Sequence, residues 1–169
     1  MSGACTSQGV WPIRMKEMTP HRALGPSLAV ILWSFAWSAC AGHQPRPTVL
    51  PPVGASSGLA IARTAESLQG SPYREGGAKP DGFDCSGLVS YVYARHGVPV
   101  PRDVKRQATA GRTVPRAEVA PGDLLFFETT PPGPSHVAIA LDENRFVHAP
   151  KSGAVVRVES LRSAYWSRW

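Results

Sequence analysis

The sequence predicts an α+β domain in which a helix bearing a cysteine packs on an antiparallel sheet of about four to six strands. Two observations favour this class. Apolar residues repeat with a helical period over residues 59–68 and again over residues 88–93. Short apolar stretches with strand character follow, and helices succeeded by a run of strands are typical of α+β domains. The length of 169 residues allows one domain and little else.

The ordered domain is predicted to span residues 58–169. Its first helix begins near Gly58 and ends at Gly70, since the apolar stripe stops there. A loop that contains Pro72-Tyr73 and Gly76-Gly77 then leads into the segment that carries the cysteine.

The second predicted helix runs from Cys85 to His96. Asp84 precedes it as an N-cap residue, and Gly97 follows at the C′ position, where glycine commonly ends a helix. Cys85 therefore lies in the first turn of a helix. The helix dipole and the unpaired N–H groups at that position favour a thiolate over a thiol.

The remaining elements are shorter. Asp103 can cap a helix that ends at Ala110, and Pro121-Gly122-Asp123 is a turn signal. Four β-strands are predicted after Gly111: Leu124–Glu128, His136–Leu141, Arg145–Ala149 and Val155–Val158.

Two histidines lie on neighbouring predicted strands that a short loop connects. A three-residue loop over residues 142–144 places His136 and His148 on the same face of the sheet, whereas a two-residue loop would place them on opposite faces. The last loop residue, Asn144, is expected in the left-handed conformation. Ala138 and Ala140 share the histidine face, and their small side chains leave room for another segment to pack there.

The first 40 residues are predicted to be an N-terminal extension and an export signal. A short, net-basic lead precedes an uncharged apolar stretch, Ala23–Trp37, whose length suits a secretory signal better than a membrane span. The stretch ends in Trp37-Ser38-Ala39-Cys40, which resembles a bacterial lipoprotein processing site with Cys40 as the lipidated residue. The alternative is an ordinary signal peptide that is cleaved after Ala39 or Gly42.

Residues 41–57 are predicted to form a flexible tether, because they contain four prolines and no periodic apolar pattern. A lipid on Cys40 would hold the domain at a membrane, and Ala41 is compatible with sorting to an outer membrane. The chain carries 18 Lys and Arg against 12 Asp and Glu, which gives a formal charge of +6. This charge suits an anionic polymer such as the cell wall, but the absence of a basic run with interleaved aromatic residues excludes nucleic acid as the expected partner.

Several short motifs occur together in one order. They are Pro72-Tyr73 with Gly76-Gly77, Asp84-Cys85-Ser86-Gly87, Pro121-Gly122-Asp123-Leu124, Ser135-His136-Val137-Ala138-Ile139, Phe146-Val147-His148-Ala149 and a terminal Tyr165-Trp166. Over about residues 59–169 this pattern resembles the NlpC family of papain-like cell-wall cysteine peptidases. The resemblance implies hydrolysis of peptidoglycan stem-peptide or cross-link amide bonds, of the γ-D-glutamyl–diaminopimelate type, without a cofactor or metal.

The resemblance also implies roles for individual residues. Cys85 would attack the peptide carbonyl, His136 would act as general base and then acid, and His148 would orient the imidazole of His136. Tyr73 and the Cys85 N–H would face the oxyanion.

Asp84 and Ser86 would bind polar groups of the stem peptide, again by resemblance. Three other functions remain open at this point. Cys85, His136 and His148 could be the three protein ligands of a catalytic zinc ion, and a basic groove could make the domain a non-catalytic wall-binding module. A thiol amidase or acyltransferase acting on a lipid or small molecule is the third.

Overall fold

A computed structural model of the chain describes residues 10–15 and 53–168, which form three α-helices, eight β-strands and two short 3₁₀ helices. The α-helices are α1 (Val53–Glu66), α2 (Cys85–Arg95) and α3 (Val104–Thr109). The strands are β1 (Trp11–Arg14), β2 (Ala78–Lys79), β3 (Gly82–Phe83), β4 (Arg112–Thr113), β5 (Leu124–Phe127), β6 (His136–Ala140), β7 (Arg145–His148) and β8 (Arg157–Ser160). The 3₁₀ helices are Arg116–Glu118 and Trp166–Arg168.

Six strands form one sheet in the order β4-β1-β5-β6-β7-β8, and every neighbouring pair is antiparallel. Strands β2 and β3 make a separate two-stranded ribbon just before α2. The sheet reaches the upper end of the predicted number of strands, and the α+β class is confirmed.

The two faces of the main sheet are buried by different parts of the chain. Val137, Ile139 and Val147 pack in one apolar cluster with residues of α1 and α2. On the opposite face, the small Ala138 and Ala140 pack in a second cluster that includes large apolar residues from the C-terminal segment. The room predicted beside these alanines is thus filled by the end of the chain itself.

Helix α2 has nearly the predicted boundaries, since it begins at Cys85 and His96 is its C-cap residue. The carboxylate of Asp84 accepts the backbone N–H of Gly87 at 2.7 Å, as expected of an N-cap residue. Gly97 has φ 73°, the left-handed conformation that ends a helix at low cost when the residue is glycine.

The predicted hairpin register is confirmed. Ala140 pairs with Phe146, so even-numbered residues of β6 lie opposite even-numbered residues of β7. His136 and His148 therefore lie on the same face of the sheet. The expectation for Asn144 is wrong, because no non-glycine residue in the described ranges has a positive φ. The loop is held by Asp142 instead, whose Oδ1 accepts the backbone N–H groups of Asn144 and Arg145 at 2.8 and 2.7 Å.

Two features at the N-terminal side differ from the sequence predictions. Helix α1 begins at Val53, so residues 53–57 are helical rather than part of the tether. Strand β1 comes from the segment assigned to the extension, and it fills the position between β4 and β5. It had escaped prediction because a four-residue strand far from its partners has no local periodic signal.

Other N-terminal predictions lie outside the described residues. These are the apolar signal stretch, Cys40 and residues 41–52 of the tether, so the division of the chain near residue 40 stays a prediction. Among residues 10–15 and 53–168, no helix combines the length and the apolar character needed to cross a bilayer.

Candidate active site

Cys85 is the first residue of α2, where the Asp84 cap begins the helix. The side chain is partly buried, and burial is the largest influence on the thiol, whose pKa is raised. Hydrogen bonds from backbone N–H groups act in the opposite direction. Those of Ser86 and Cys85 belong to the start of the helix, as predicted, whereas the larger effect comes from Val137 on β6. The expectation of a resting thiolate is nevertheless wrong, because desolvation outweighs these donors.

His136 and His148 form a buried imidazole pair. Nε2 of His136 lies 2.8 Å from Nδ1 of His148, and His148 is 0% exposed. Burial and the neighbouring His148 lower the pKa of His136 to about 3. Burial also lowers the pKa of His148 to about 4, although Glu159 acts against it. Both rings are therefore neutral near pH 7.

Cys85 and the imidazole pair both lie near the start of β6. The backbone N–H that the Cys85 thiol contacts belongs to Val137, the residue directly after His136. Cys85 packs with the helix-covered cluster, whereas both imidazole rings contact aromatic residues on the opposite face of the sheet. No hydrogen bond joins Cys85 to His136 within the described ranges. Since Nε2 of His136 is bonded to His148, Nδ1 is the ring nitrogen left for the thiol proton.

Asp84 and Ser86 flank the cysteine, and Arg102 binds both of them. The guanidinium contacts the Asp84 carboxylate at 2.6 and 2.9 Å and the Ser86 hydroxyl at 2.8 Å. The Arg102 side chain is 44% exposed, so it lies at the surface beside the cysteine. The sequence analysis missed this arginine. The available signal was its position in the predicted loop, directly after Pro101 and directly before the residue that caps α3.

Tyr73 is the other residue that was expected near the reacting carbonyl. It is partly buried against the helix-covered cluster. Burial raises the pKa of its phenol, and the negative charge of the Asp84 carboxylate adds to this effect. The hydroxyl therefore stays protonated and can donate a hydrogen bond.

Glu159 and Trp166 complete the surroundings of the imidazole pair. Nε2 of His148 lies 3.4 Å from Oε1 of Glu159, outside good hydrogen-bond geometry, and Trp166 stacks on His136 with ring centroids 5.9 Å apart. The indole N–H of Trp166 donates to Oε2 of Glu159. The sequence analysis missed Glu159 because the fourth strand was predicted to end at Val158, two residues before its observed end at Ser160.

A cavity of about 400 Å³ opens over the imidazole pair. Besides both histidines, its walls comprise Thr129, Pro150, Lys151, Arg157, Glu159, Tyr165 and Trp166. In the part of the chain that the structure describes, no three His, Cys, Asp or Glu side chains are grouped so that they could hold a metal ion. Nε2 of His136 and Nδ1 of His148 are hydrogen-bonded to each other, so these two nitrogens do not point to a shared metal position.

Comparison with known proteins links this geometry to one family. The model of the NlpC/P60 family matches residues 70–169. The chain is 34% identical over 145 residues to the probable endopeptidase NlpC of Escherichia coli. This match covers 82% of this chain and 92% of that protein. It is 39% identical over 109 residues to the probable peptidoglycan endopeptidase LytE of Bacillus subtilis, and 36% over 111 residues to the gamma-DL-glutamyl hydrolase of the same organism. These two matches cover 63% of this chain but only 30% and 27% of those longer proteins.

Solved structures give the same result. The NlpC/p60 domain of the peptidoglycan hydrolase SagA superposes with a TM-score of 0.58 at 40% identity, covering 62% of this chain and 90% of that one. An NlpC/P60 family protein of Bacillus cereus superposes with a TM-score of 0.62 at 28% identity, covering 66% and 37%. The chain belongs to the NlpC/P60 family and has its papain-like α+β fold.

Proposed function

We propose that this protein is a cysteine endopeptidase that hydrolyses amide bonds in peptidoglycan peptides. The observation that carries the proposal is the 2.8 Å contact between His136 and His148, one residue away from the backbone N–H that the Cys85 thiol contacts. A nucleophile, a base and a group that orients the base are the three parts that thiol acyl transfer requires.

The raised pKa of Cys85 and the lowered pKa of His136 define how the reaction begins. Thiol and imidazole are both neutral at rest, so the proton moves from Sγ to Nδ1 of His136 as sulfur attacks the carbonyl carbon. His136 then passes this proton to the leaving amine as the C–N bond breaks, which leaves an acyl-enzyme. In the second half, water attacks the thioester, His136 takes its proton, and the thiol is restored as the carboxylic acid leaves.

The developing oxyanion is stabilised by two donors in this proposal. The Cys85 backbone N–H lies at the start of α2, where the helix dipole favours negative charge. The Tyr73 hydroxyl is the second donor, since its raised pKa keeps it protonated.

The proposed substrates are stem peptides or their cross-links, with γ-D-glutamyl–diaminopimelate bonds as the expected target. Relatives named as a gamma-DL-glutamyl hydrolase and a gamma-D-glutamyl-L-lysine dipeptidyl-peptidase support this bond type. Lys151 and Arg157 lie on the wall of the cavity over the imidazole pair, and they suit the carboxylates of such peptides. Asp84 and Ser86 would contact a polar group of the peptide on the other side of Cys85, in competition with Arg102.

The proposed location is the periplasmic face of a bacterial membrane, with a lipid on Cys40 as the anchor and the outer membrane as the expected site. The apolar stretch that ends at Cys40 would direct export, and the proline-rich residues before α1 would give the domain reach from the membrane to the wall. Radiolabelled palmitate in the protein, lost in Cys40→Ala, would support the lipid anchor.

The activity test compares the wild-type protein with Cys85→Ala on purified muropeptides, and mass spectrometry identifies the products. We expect cleavage by the wild type and by the matched control Cys5→Ala, and none by Cys85→Ala. Iodoacetamide should abolish the wild-type activity, whereas a chelator should not.

Other outcomes of this test would favour the other functions. Loss of activity to a chelator but not to iodoacetamide would favour the zinc hydrolase. Wall binding that survives Cys85→Ala, without any cleaved muropeptide, would favour the non-catalytic binding module.

A further inference from the structure

The imidazole pair can hold its protons in two ways, and only one of them makes His136 a base. If His148 donates from Nδ1, the proton of neutral His136 must lie on Nδ1, the nitrogen that should receive the thiol proton. If His136 donates from Nε2, its Nδ1 carries a free lone pair. In this second arrangement the single proton of neutral His148 lies on Nε2.

Nε2 of His148 faces one carboxylate oxygen. The nitrogen is buried without a hydrogen bond of good geometry in the described ranges, and Oε1 of Glu159 lies 3.4 Å away. A carboxylate only accepts hydrogen bonds, so this contact is attractive when His148 carries a proton on Nε2 and repulsive when Nε2 presents a lone pair.

Glu159 is itself fixed and charged. Arg157 donates from Nε to Oε1 at 2.6 Å, and Trp166 donates its indole N–H to Oε2. Burial raises the pKa of this carboxyl, but the contacts with Trp166, Arg157 and His148 outweigh burial, and the pKa is lowered. Trp166 also stacks on His136, so the residue that anchors the carboxylate packs against the base.

We propose that Glu159 is a positioning residue that holds the proton of His148 on Nε2 and thereby leaves Nδ1 of His136 free to accept the thiol proton. This inference rests on the proposed function and adds Glu159 to the set of Cys85, His136 and His148. When His136 accepts the proton during acylation, its charge is stabilised through Nε2–H of His136, then His148, then the Glu159 carboxylate. No bond other than those of the acyl transfer is made or broken.

The variant Glu159→Gln tests the proposal because its shape is nearly unchanged. Both anchors of Glu159 are donors, and an amide offers only one accepting oxygen. Trp166 is 6% exposed and cannot turn away, whereas the Arg157 side chain is 48% exposed and can turn to water. The amide oxygen should therefore stay on Trp166, and its NH₂ group should donate to Nε2 of His148 and move the proton of His148 to Nδ1.

The direct measurement is ¹⁵N NMR of the histidine side chains, which distinguishes the Nδ1–H and Nε2–H forms. We expect His148 to be Nε2–H in the wild type and Nδ1–H in Glu159→Gln. With muropeptides, kcat should fall roughly 10²-fold, within the range of general acid–base catalysis, while KM changes little. Glu159→Asp keeps a charged acceptor and should recover part of kcat.

Glu143→Gln is the matched control, because it removes the same charge from an exposed loop and should change neither measurement. An Nδ1–H form of His148 in the wild-type protein would overturn the proposal, even if the variants failed to fold. An unchanged kcat in folded Glu159→Gln would overturn it as well. If the wild type shows Nε2–H but cleaves no muropeptide, the proposed function fails while the assignment of the proton remains.

Discussion

The buried imidazole pair makes the stability of the fold sensitive to mild acid. Histidine has a pKa of about 6.5 in an unfolded chain, whereas His136 and His148 have pKa values of about 3 and about 4 in the folded protein. The unfolded chain therefore binds more protons below pH 6.5, and the free energy of unfolding falls as the pH falls. This loss continues until the folded histidines themselves protonate, near pH 4 for His148 and near pH 3 for His136.

The size of the effect follows from these pKa values. Between pH 7 and pH 5.5, each histidine should lower the free energy of unfolding by about 1.3 kcal/mol, or about 2.5 kcal/mol for the pair. That is a large part of the free energy of unfolding of a small domain, which is usually about 5–15 kcal/mol. Urea unfolding at both pH values measures it, with the double variant His136→Gln/His148→Gln as the control for all other titrating groups.

The wild type should lose about 2.5 kcal/mol more than this double variant over the same pH interval. Equal losses in the two proteins would refute the reasoning, because they would mean that the histidines protonate in the folded state as easily as in the unfolded chain. Because each protein is compared with itself at two pH values, any stability lost through the substitutions themselves does not enter the result.

Three substitutions test individual contacts that stabilise the domain. Gly87→Ala would place a Cβ well inside van der Waals contact of the Gly77 carbonyl oxygen, so urea unfolding should show a loss of about 2–3 kcal/mol, and wild-type stability would contradict the close approach. The buried amide of Gln107 donates to two backbone carbonyl groups and one hydroxyl group, and Gln107→Leu removes this donor. The same measurement should therefore show a loss of about 2–3 kcal/mol. A loss smaller than that of an exposed polar residue would contradict the importance of these hydrogen bonds. Arg14→Ala leaves the carboxylate of Asp123, which is 3% exposed, buried without its partner. Urea unfolding should show a loss of about 2 kcal/mol, less than the usual 3–5 kcal/mol because Arg14 is 36% exposed. No loss would mean that β1 is unpaired in solution.

The parts of the fold that could be predicted are those with short-range signals. Asp84 and Gly97 mark the ends of α2 through chemistry that acts within a few residues. The loop between β6 and β7 fixes the register of its two strands, and the side-chain period of two then decides which residues share a face with His148. The histidine pair could therefore be predicted from spacing alone.

The parts that could not be predicted depend on contacts across the sheet. Glu159 reaches His148 because β8 pairs with β7, and no loop rule sets that register, since residues 149–156 are too long for a tight turn. Arg102 reaches Asp84 across 18 residues of sequence. The thiol of Cys85 was misjudged for a related reason, because its burial comes from the sheet that packs against α2, whereas the helix terminus is visible in the local sequence.

Strand β1 and the proposed export signal make opposite demands on the first 40 residues. Arg14 in β1 donates two hydrogen bonds to Asp123 at 2.7 and 2.8 Å, and β1 supplies backbone partners to both β4 and β5. Cleavage before Cys40 would cut the covalent link between this strand and the domain. A cleaved chain must then keep β1 by its sheet contacts alone, or bring another extended segment with a basic residue to β5, because a buried carboxylate and an open strand edge are both costly. The Asp123 pair therefore ties the proposed processing of the N-terminus to the stability of the domain that holds Cys85.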